Sequence, residues 1–200
     1  FTAVTELTIF APNHPRLLSL FAGACAASGA NIVGASITST RDGFALDSFL
    51  LKRELGEDVD EIRRTKSIGE LIDRLLQGEG RLKTLLERRR PTERRVEAFD
   101  VEPEVIINNK LSDKFTVIEV SGLDRTGLLY DLTSALSDLY LDISSAHITT
   151  FGEKAVDVFY VTDLTHKQIE SESRQDAIRE RLVEVLVHDR DEDSVSLKAG

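Results

Sequence analysis

The side chains that could do chemistry in this chain gather at two strand-to-helix turns and at two positions that follow those turns at equal distance. The first turn reads Ala11-Pro12-Asn13-His14-Pro15-Arg16-Leu17-Leu18, and the second reads Gly122-Leu123-Asp124-Arg125-Thr126-Gly127-Leu128-Leu129. Eighteen residues after Asn13 stands Asn31, followed by Ile32. Eighteen after Asp124 stands Asp142, followed by Ile143. Asn13 and Asp124 fall in the N-cap region of a helix, where the first backbone N–H groups have no intrahelical acceptor. Such amides, with the helix dipole behind them, form a cradle for a small carboxylate. Gly127 lacks a Cβ and lets a ligand come close to the backbone. If the second strand starts beside the turn that ends the first, Asn13 shares a pocket with Asn31, and Asp124 with Asp142. One member of each pair would then fix a carboxylate and the other an ammonium. The alternative is that Asn13 and Asp124 only cap a helix while Asn31 and Asp142 only start a strand. Recurrence of both polar positions, at equal spacing, sets the ligand reading level with it.

Other constellations are scarce, and no catalytic residue is assigned. His14, His147, His166 and His188 sit in different elements, with no His-x-x-x-His or Glu-x-x-His pair, so no metal site is expected. Cys25 lies on an apolar helical stripe and reads as a packed thiol rather than a nucleophile. Neither a phosphate-binding Gly-x-x-x-x-Gly-Lys-Ser loop nor a Gly-x-Ser-x-Gly elbow occurs. Asp47 and Asp157 recur at matching strand positions and read as edge or interface contacts. Arg88-Arg89-Arg90 with Arg94-Arg95 reads as a solvated helix end whose cations suit the negative terminus.

The two turns belong to an internal repeat. Residues 7–51 align with 118–161 at an offset of 111 up to Thr40, and at 110 from Ala45 onward. Leu17-Leu18 falls on Leu128-Leu129, Ile37-Thr38 on Ile148-Thr149, and Asp47 on Asp157. Each copy opens with an alternating strand, Leu7-Ile9-Ala11 or Ile118-Val120-Gly122. A helix with one apolar stripe follows, built on Leu17, Leu18, Phe21, Ala24 and Cys25, or on Leu128, Leu129, Leu132, Ala135, Leu136 and Leu139. Gly29 supplies a C-cap in the first copy. Two runs rich in β-branched residues come next, 31–40 and 44–52, turning at Arg41-Asp42-Gly43. Their counterparts are 142–151 and 154–162, turning at Gly152-Glu153.

A second helix carries Ile68, Leu71, Ile72, Leu75, Leu76, Leu82, Leu85 and Leu86, interrupted near Gly78 and Gly80. The shorter second-copy helix carries Ala177, Ile178, Leu182, Val185 and Leu186. A final strand is expected near Val105–Ile107 or Val96–Val101 in the first copy, and over Ser194–Lys198 in the second. The order βαββαβ makes the chain α+β: two ferredoxin-like units, each an antiparallel sheet with helices on one face. The units are expected at 1–108 and 115–200, with the linker within 88–114.

Bulk properties bound the function. The chain has 200 residues with 41% hydrophobic and 30% charged content, as in an ordinary soluble globular chain. A net charge of −10 repels phosphate backbones and anionic lipid, so neither nucleic acid nor membrane is an expected partner. An RNA-binding ferredoxin-like module is further disfavoured by 6% aromatics. One cysteine excludes an internal disulfide and fits a cytoplasmic setting. The chain opens at Phe1 and has no Met, as expected of a piece cut from a longer protein.

At the two turns the chain resembles a tandem of ACT domains, small βαββαβ modules that commonly sense amino acids. Asp-Arg-Thr-Gly-Leu-Leu at 124–129 resembles the family's Asp-x-Pro-Gly-Leu-Leu turn, and Asn31-Ile32 resembles the Asn-Ile that begins its second strand. More narrowly, three segments resemble the C-terminal region of the bifunctional PII uridylyltransferase/uridylyl-removing family. They are Arg-Arg-Val-Glu-x-Phe at 94–99, Ile148–Glu153 and Asp157–Asp163.

The resemblance implies a regulatory, glutamine-sensing module, not itself a catalyst, whose parent adds UMP to or removes it from the PII protein. The parent's nucleotidyltransferase and HD-type domains, with their Mg²⁺, have no counterpart here; this segment needs no cofactor. The amino-acid site would fall on Asn13, His14, Pro15, Arg16, Leu17, Asn31 and Ile32, on Asp124, Arg125, Thr126, Gly127, Leu128, Asp142 and Ile143, or at the seam between copies. Arg16 stands where the family has glycine, so its side chain would either close the first turn or take the ligand carboxylate itself. ACT units pair within or between chains. A stand-alone tandem ACT regulator of another amino-acid pathway, and a ligand-free dimerisation module, are the alternatives.

Overall fold

The computed structural model describes residues 4–14, 16–53, 58–79, 82–87 and 101–196. The expected strand over Val96–Val101, except its last residue, and the basic run of arginines at 88–95 lie outside the described residues. The first repeat folds as β1 (Val4–Pro12), α1 (Leu17–Ala27), β2 (Ile32–Ser39), β3 (Phe44–Lys52), α2 (Asp58–Leu76) and α3 (Leu82–Glu87). Gly78, at φ 79°, stands in the break between α2 and α3. The second contributes β4 (Glu104–Asn108), β5 (Thr116–Leu123), α4 (Leu128–Asp138), β6 (Leu141–Phe151), β7 (Lys154–Asp163) and α5 (Glu172–Ser196).

Both hairpins turn where the sequence places Gly, with Gly43 at φ 84° and Gly152 at φ 62°, values that only a residue without Cβ adopts freely. The seven strands form one sheet in the order β1-β3-β2-β6-β7-β5-β4. Within the first repeat β3 is antiparallel to both neighbours, so β1 and β2 run the same way. The repeats meet where β2 pairs antiparallel with β6, from Gly34 opposite Thr149 to Thr38 opposite Ser145. Ser36 faces His147, its own counterpart at the repeat offset of 111. A local twofold therefore passes between those two residues and relates the repeats.

The helices cover one face. Phe21 of α1, Leu132 and Leu136 of α4, Ile68 and Ile72 of α2, and Ile178 and Leu182 of α5 pack with Phe49, Ile118 and Phe159 in one buried cluster. Each such side chain withdrawn from water contributes about 1.5–3 kcal/mol. α1 and α4 lie side by side beneath the seam, and Gly23 makes that approach close. A Cβ there would lie 2.5 Å from Leu82 and 2.7 Å from Tyr130.

The last strand departs from expectation in both copies. The strand at 105–107 exists, but it pairs with β5 of the second repeat, Val105 opposite Val120, and leaves β1 as the opposite edge. Its turn is tied down locally. The Nε2 of Gln168 donates to the carbonyls of Asn109, Ser112 and Phe115 at 3.1, 2.9 and 2.9 Å. With β4 already on the free side of β5, the second repeat has no opening for a strand from its own C-terminus. Ser194–Ser196, expected extended, ends α5 instead; Ala199 and its neighbours from 197 onward lie outside the described residues.

Candidate functional site

Each strand-to-helix turn opens onto a cavity, and each cavity is built by both repeats. Asn31, Asp124, Arg125, Gly127, Thr150 and Asp157 line the first, with Ala22 and Ala26 of α1 as an apolar wall. Asn13, His14, Arg16, Ser39, Asp47 and Asp142 line the second, with Ser137 and Leu141. The empty space at the two corners, open mouths included, is roughly 350 and 440 Å³.

The pairing of polar corners is the reverse of what the spacing suggests. Asn31 sits with Asp124, and Asp142 with Asn13. The reason is topological. Because β1 and β2 are parallel, the start of β2 lies at the far end of the sheet from the turn after β1. Asn31 accordingly accepts from the backbone of Lys52, at the end of β3, whereas the N–H of Asn13 bonds Gly43, just before its start. The β2–β6 ladder then carries Asn31 to the end of β6, beside Thr150 and the Asp124 turn. The twofold does the same for Asp142. Each cavity thus receives one Asp and one Asn from opposite repeats, with their places exchanged.

Of the remaining predicted residues, Ile32 and Leu128 line the first cavity, and Leu17 and Ile143 the second. Thr126 is exposed and lines neither, and Pro15 lies outside the described residues. The residue before each helix is left-handed, Arg16 at φ 70° and Gly127 at φ 88°, and neither helix has a side-chain cap. The N-cap positions are thus Arg16 and Gly127, and the side chains of Asn13 and Asp124 bond to strand residues. The Nδ2 of Asn13 donates to Ser39 Oγ at 3.0 Å, and Thr150 Oγ1 donates to Asp124 Oδ2 at 3.4 Å. Leu128 N–H bonds the Arg125 carbonyl and Asp131 N–H the Gly127 carbonyl. The amides of Leu129 and Tyr130 between them have no backbone acceptor among the described residues. Arg16 lines the second cavity, and its exposed guanidinium pairs with Asp138 at 2.7 Å.

Sequence reasoning missed two members of the site. Asp47 and Asp157 lie on β3 and β7, which are interior strands rather than edges, and they face the cavities with 1% and 2% exposure. Oδ1 of each has no hydrogen-bond partner among the described residues. Burial pushes the Asp157 carboxyl up to about 7, helped by the neighbouring Asp124 charge and opposed by a backbone bond from Thr149. Burial likewise pushes Asp47 up to about 6, against a backbone bond from Thr38. Asp124 is also raised, chiefly by burial, although the Arg125 backbone, Asn31 and Thr150 all bond its charged form. The signal that could have found the pair was parity: each aspartate shares its strand face with buried Ala45 and Phe49, or Ala155 and Phe159.

No cluster of three or more His, Cys, Asp or Glu suited to a metal occurs among the described residues. Cys25 is fully buried, and its thiol is pushed up to about 12 by that burial. No helix among the described residues is long and apolar enough to cross a membrane.

Two βαββ units joined edge to edge about a local twofold, helices on one face and a cavity at each end of the seam, make this chain a tandem of ACT-like units of ferredoxin-like fold. The family described as ACR9-like, ACT-like domain matches residues 104–190, beginning at the first residue of β4. Along nearly its whole length the chain resembles the bifunctional uridylyltransferase/uridylyl-removing enzyme of Bradyrhizobium sp. strain BTAi1, with 56% identity over 186 residues. That alignment covers 93% of this chain and 20% of the enzyme, so the chain spans about a fifth of that relative's length.

Proposed function

We propose that this tandem is the regulatory part of a uridylyltransferase/uridylyl-removing enzyme, and that it senses free glutamine in the cytoplasm through the two seam cavities. By this reading the parent modifies the PII protein, and its Mg²⁺-dependent chemistry belongs to domains outside this chain. One observation carries the proposal: both seam cavities are composite, each drawing its helix-start turn from one repeat and its strand-start side chain from the other. A ligand bridging the two must favour one relative packing of the repeats, and that is the differential affinity regulation requires. A coupling of about 1–3 kcal/mol would suffice. A module serving only to pair chains would gain nothing from open corners.

Calorimetry of the chain with L-glutamine at millimolar concentration tests the reading. Heat of binding is expected, and it is weakened by Asn31→Ala at the first cavity and by Asp142→Ala at the second. In the full-length enzyme the same substitutions are expected to blunt the glutamine response of both activities. Absence of heat in the unmodified chain, with an unaltered response in the variants, rejects it. Binding of another amino acid in place of glutamine would favour a tandem regulator of a different pathway.

A further inference from the structure

We propose that Asp157 and Asp47 are the ammonium anchors of the two seam cavities, so that each cavity selects a ligand carrying a cationic amino group beside its carboxylate. This rests on the amino-acid reading above and deepens it. Both aspartates are more than nine-tenths buried, line the cavities and leave Oδ1 without a partner among the described residues. A buried carboxylate oxygen with no donor is costly and rare. Its recurrence at equivalent positions of two diverged repeats points to a donor that arrives from outside. Thr150 and Asp124 stand beside Asp157, and Ser39 and Asn13 stand in the same relation to Asp47.

The charges divide the ligand. Titratable groups lining the cavity with Asp157 are Asp124, Arg125 and Tyr130. The Arg125 guanidinium is drawn to Asp131 at 2.6 Å. The adjacent carboxyls of Asp157 and Asp124, once ionised, suit an ammonium, while the amides of Leu129 and Tyr130 at the start of α4 suit the ligand carboxylate. Around Asp47 the titratable groups are His14, Arg16 and Asp142. Because burial raises both aspartates, an entering ammonium must displace protons from them.

The test uses the chain as described, with L-glutamine and with 4-carbamoylbutanoate, the same molecule without its α-amino group, as probes in calorimetry. Asp157→Asn and Asp47→Asn are each expected to cost one site about 30-fold or more in glutamine affinity, the scale of losing one partner of a buried charge pair. Affinity for 4-carbamoylbutanoate should stay level or rise. The unmodified chain should release about one proton per chain or more on binding glutamine near pH 6, read from heats in buffers of different ionisation enthalpy, and almost none near pH 8. Glutamine affinity unchanged in both variants overturns the anchors while leaving the glutamine reading intact, and so does a proton count of zero near pH 6, which needs no variant to fold. If the unmodified chain binds no glutamine, the functional reading falls and the anchors fall with it.

Discussion

At the scale of single residues, the two buried aspartates make the unliganded protein sensitive to pH in a direction that can be worked out. Their folded pKa values, about 7 and about 6, lie above the ordinary value of 3.8. Between those limits the folded state binds more protons than the unfolded one, so stability falls as pH rises. The contribution is complete below about pH 4 and gone above about pH 7, at up to about 1.4 kcal/mol per pK unit. Asp157→Asn is therefore expected to raise the melting temperature near pH 8 and to change it little near pH 4. Thermal scans of the two proteins across that range check the sign. The residue scale also shows what spacing could carry and what it could not. The polar corners at Asn13 and Asp124 were legible because the repeat marks them twice. Their partners were not, because which end of the sheet a strand begins from is a property of topology rather than of separation along the chain.

At the scale of elements, glycines with opposite surroundings give opposed predictions. Gly23 lies where α1, α3 and α4 converge, with Leu82 and Tyr130 at 2.5 and 2.7 Å from a hypothetical Cβ. Gly23→Val should cost about 1–3 kcal/mol through overpacking and disturb the first cavity, since Tyr130 also lines it. Gly69, within α2, has nothing within 4 Å of the same point. Gly69→Ala should stabilise by about 0.5–1 kcal/mol through helix propensity. Chemical denaturation of both variants separates the two cases.

Helices and hairpins were readable from periodicity because their stabilising contacts are local or face one shared core. The partner of β4 was not readable. Val105 and Ile107 alternate as any half-buried strand does, and nothing in that alternation marks β5 rather than β1 as the partner or the turn that Gln168 bridges from some fifty residues away. Gln168→Ala should cost about 1–3 kcal/mol, by leaving those carbonyls without their donor.

At the scale of the whole molecule, the β2–β6 ladder and the α1–α4 contact merge two repeats into one cooperative object. The buried cluster runs without a break from Phe49 of the first repeat to Phe159 of the second. Neither cavity exists in a separated repeat, because each takes its turn from one and its strand start from the other. Cooperativity and ligand binding thus have a common structural origin, and a single calorimetric transition is expected rather than one per repeat. Its measured enthalpy should match the van't Hoff value. Asp47→Asn, a change confined to the second cavity, should move that one transition as a whole. Two resolved transitions, with only one displaced by the substitution, would mean that the seam is too weak to report a ligand from one repeat to the other. Saturating glutamine should shift the same single transition upward by an amount that grows with ligand concentration. The size of the shift at fixed concentration then ranks the corner and anchor variants without any assay of the parent enzyme.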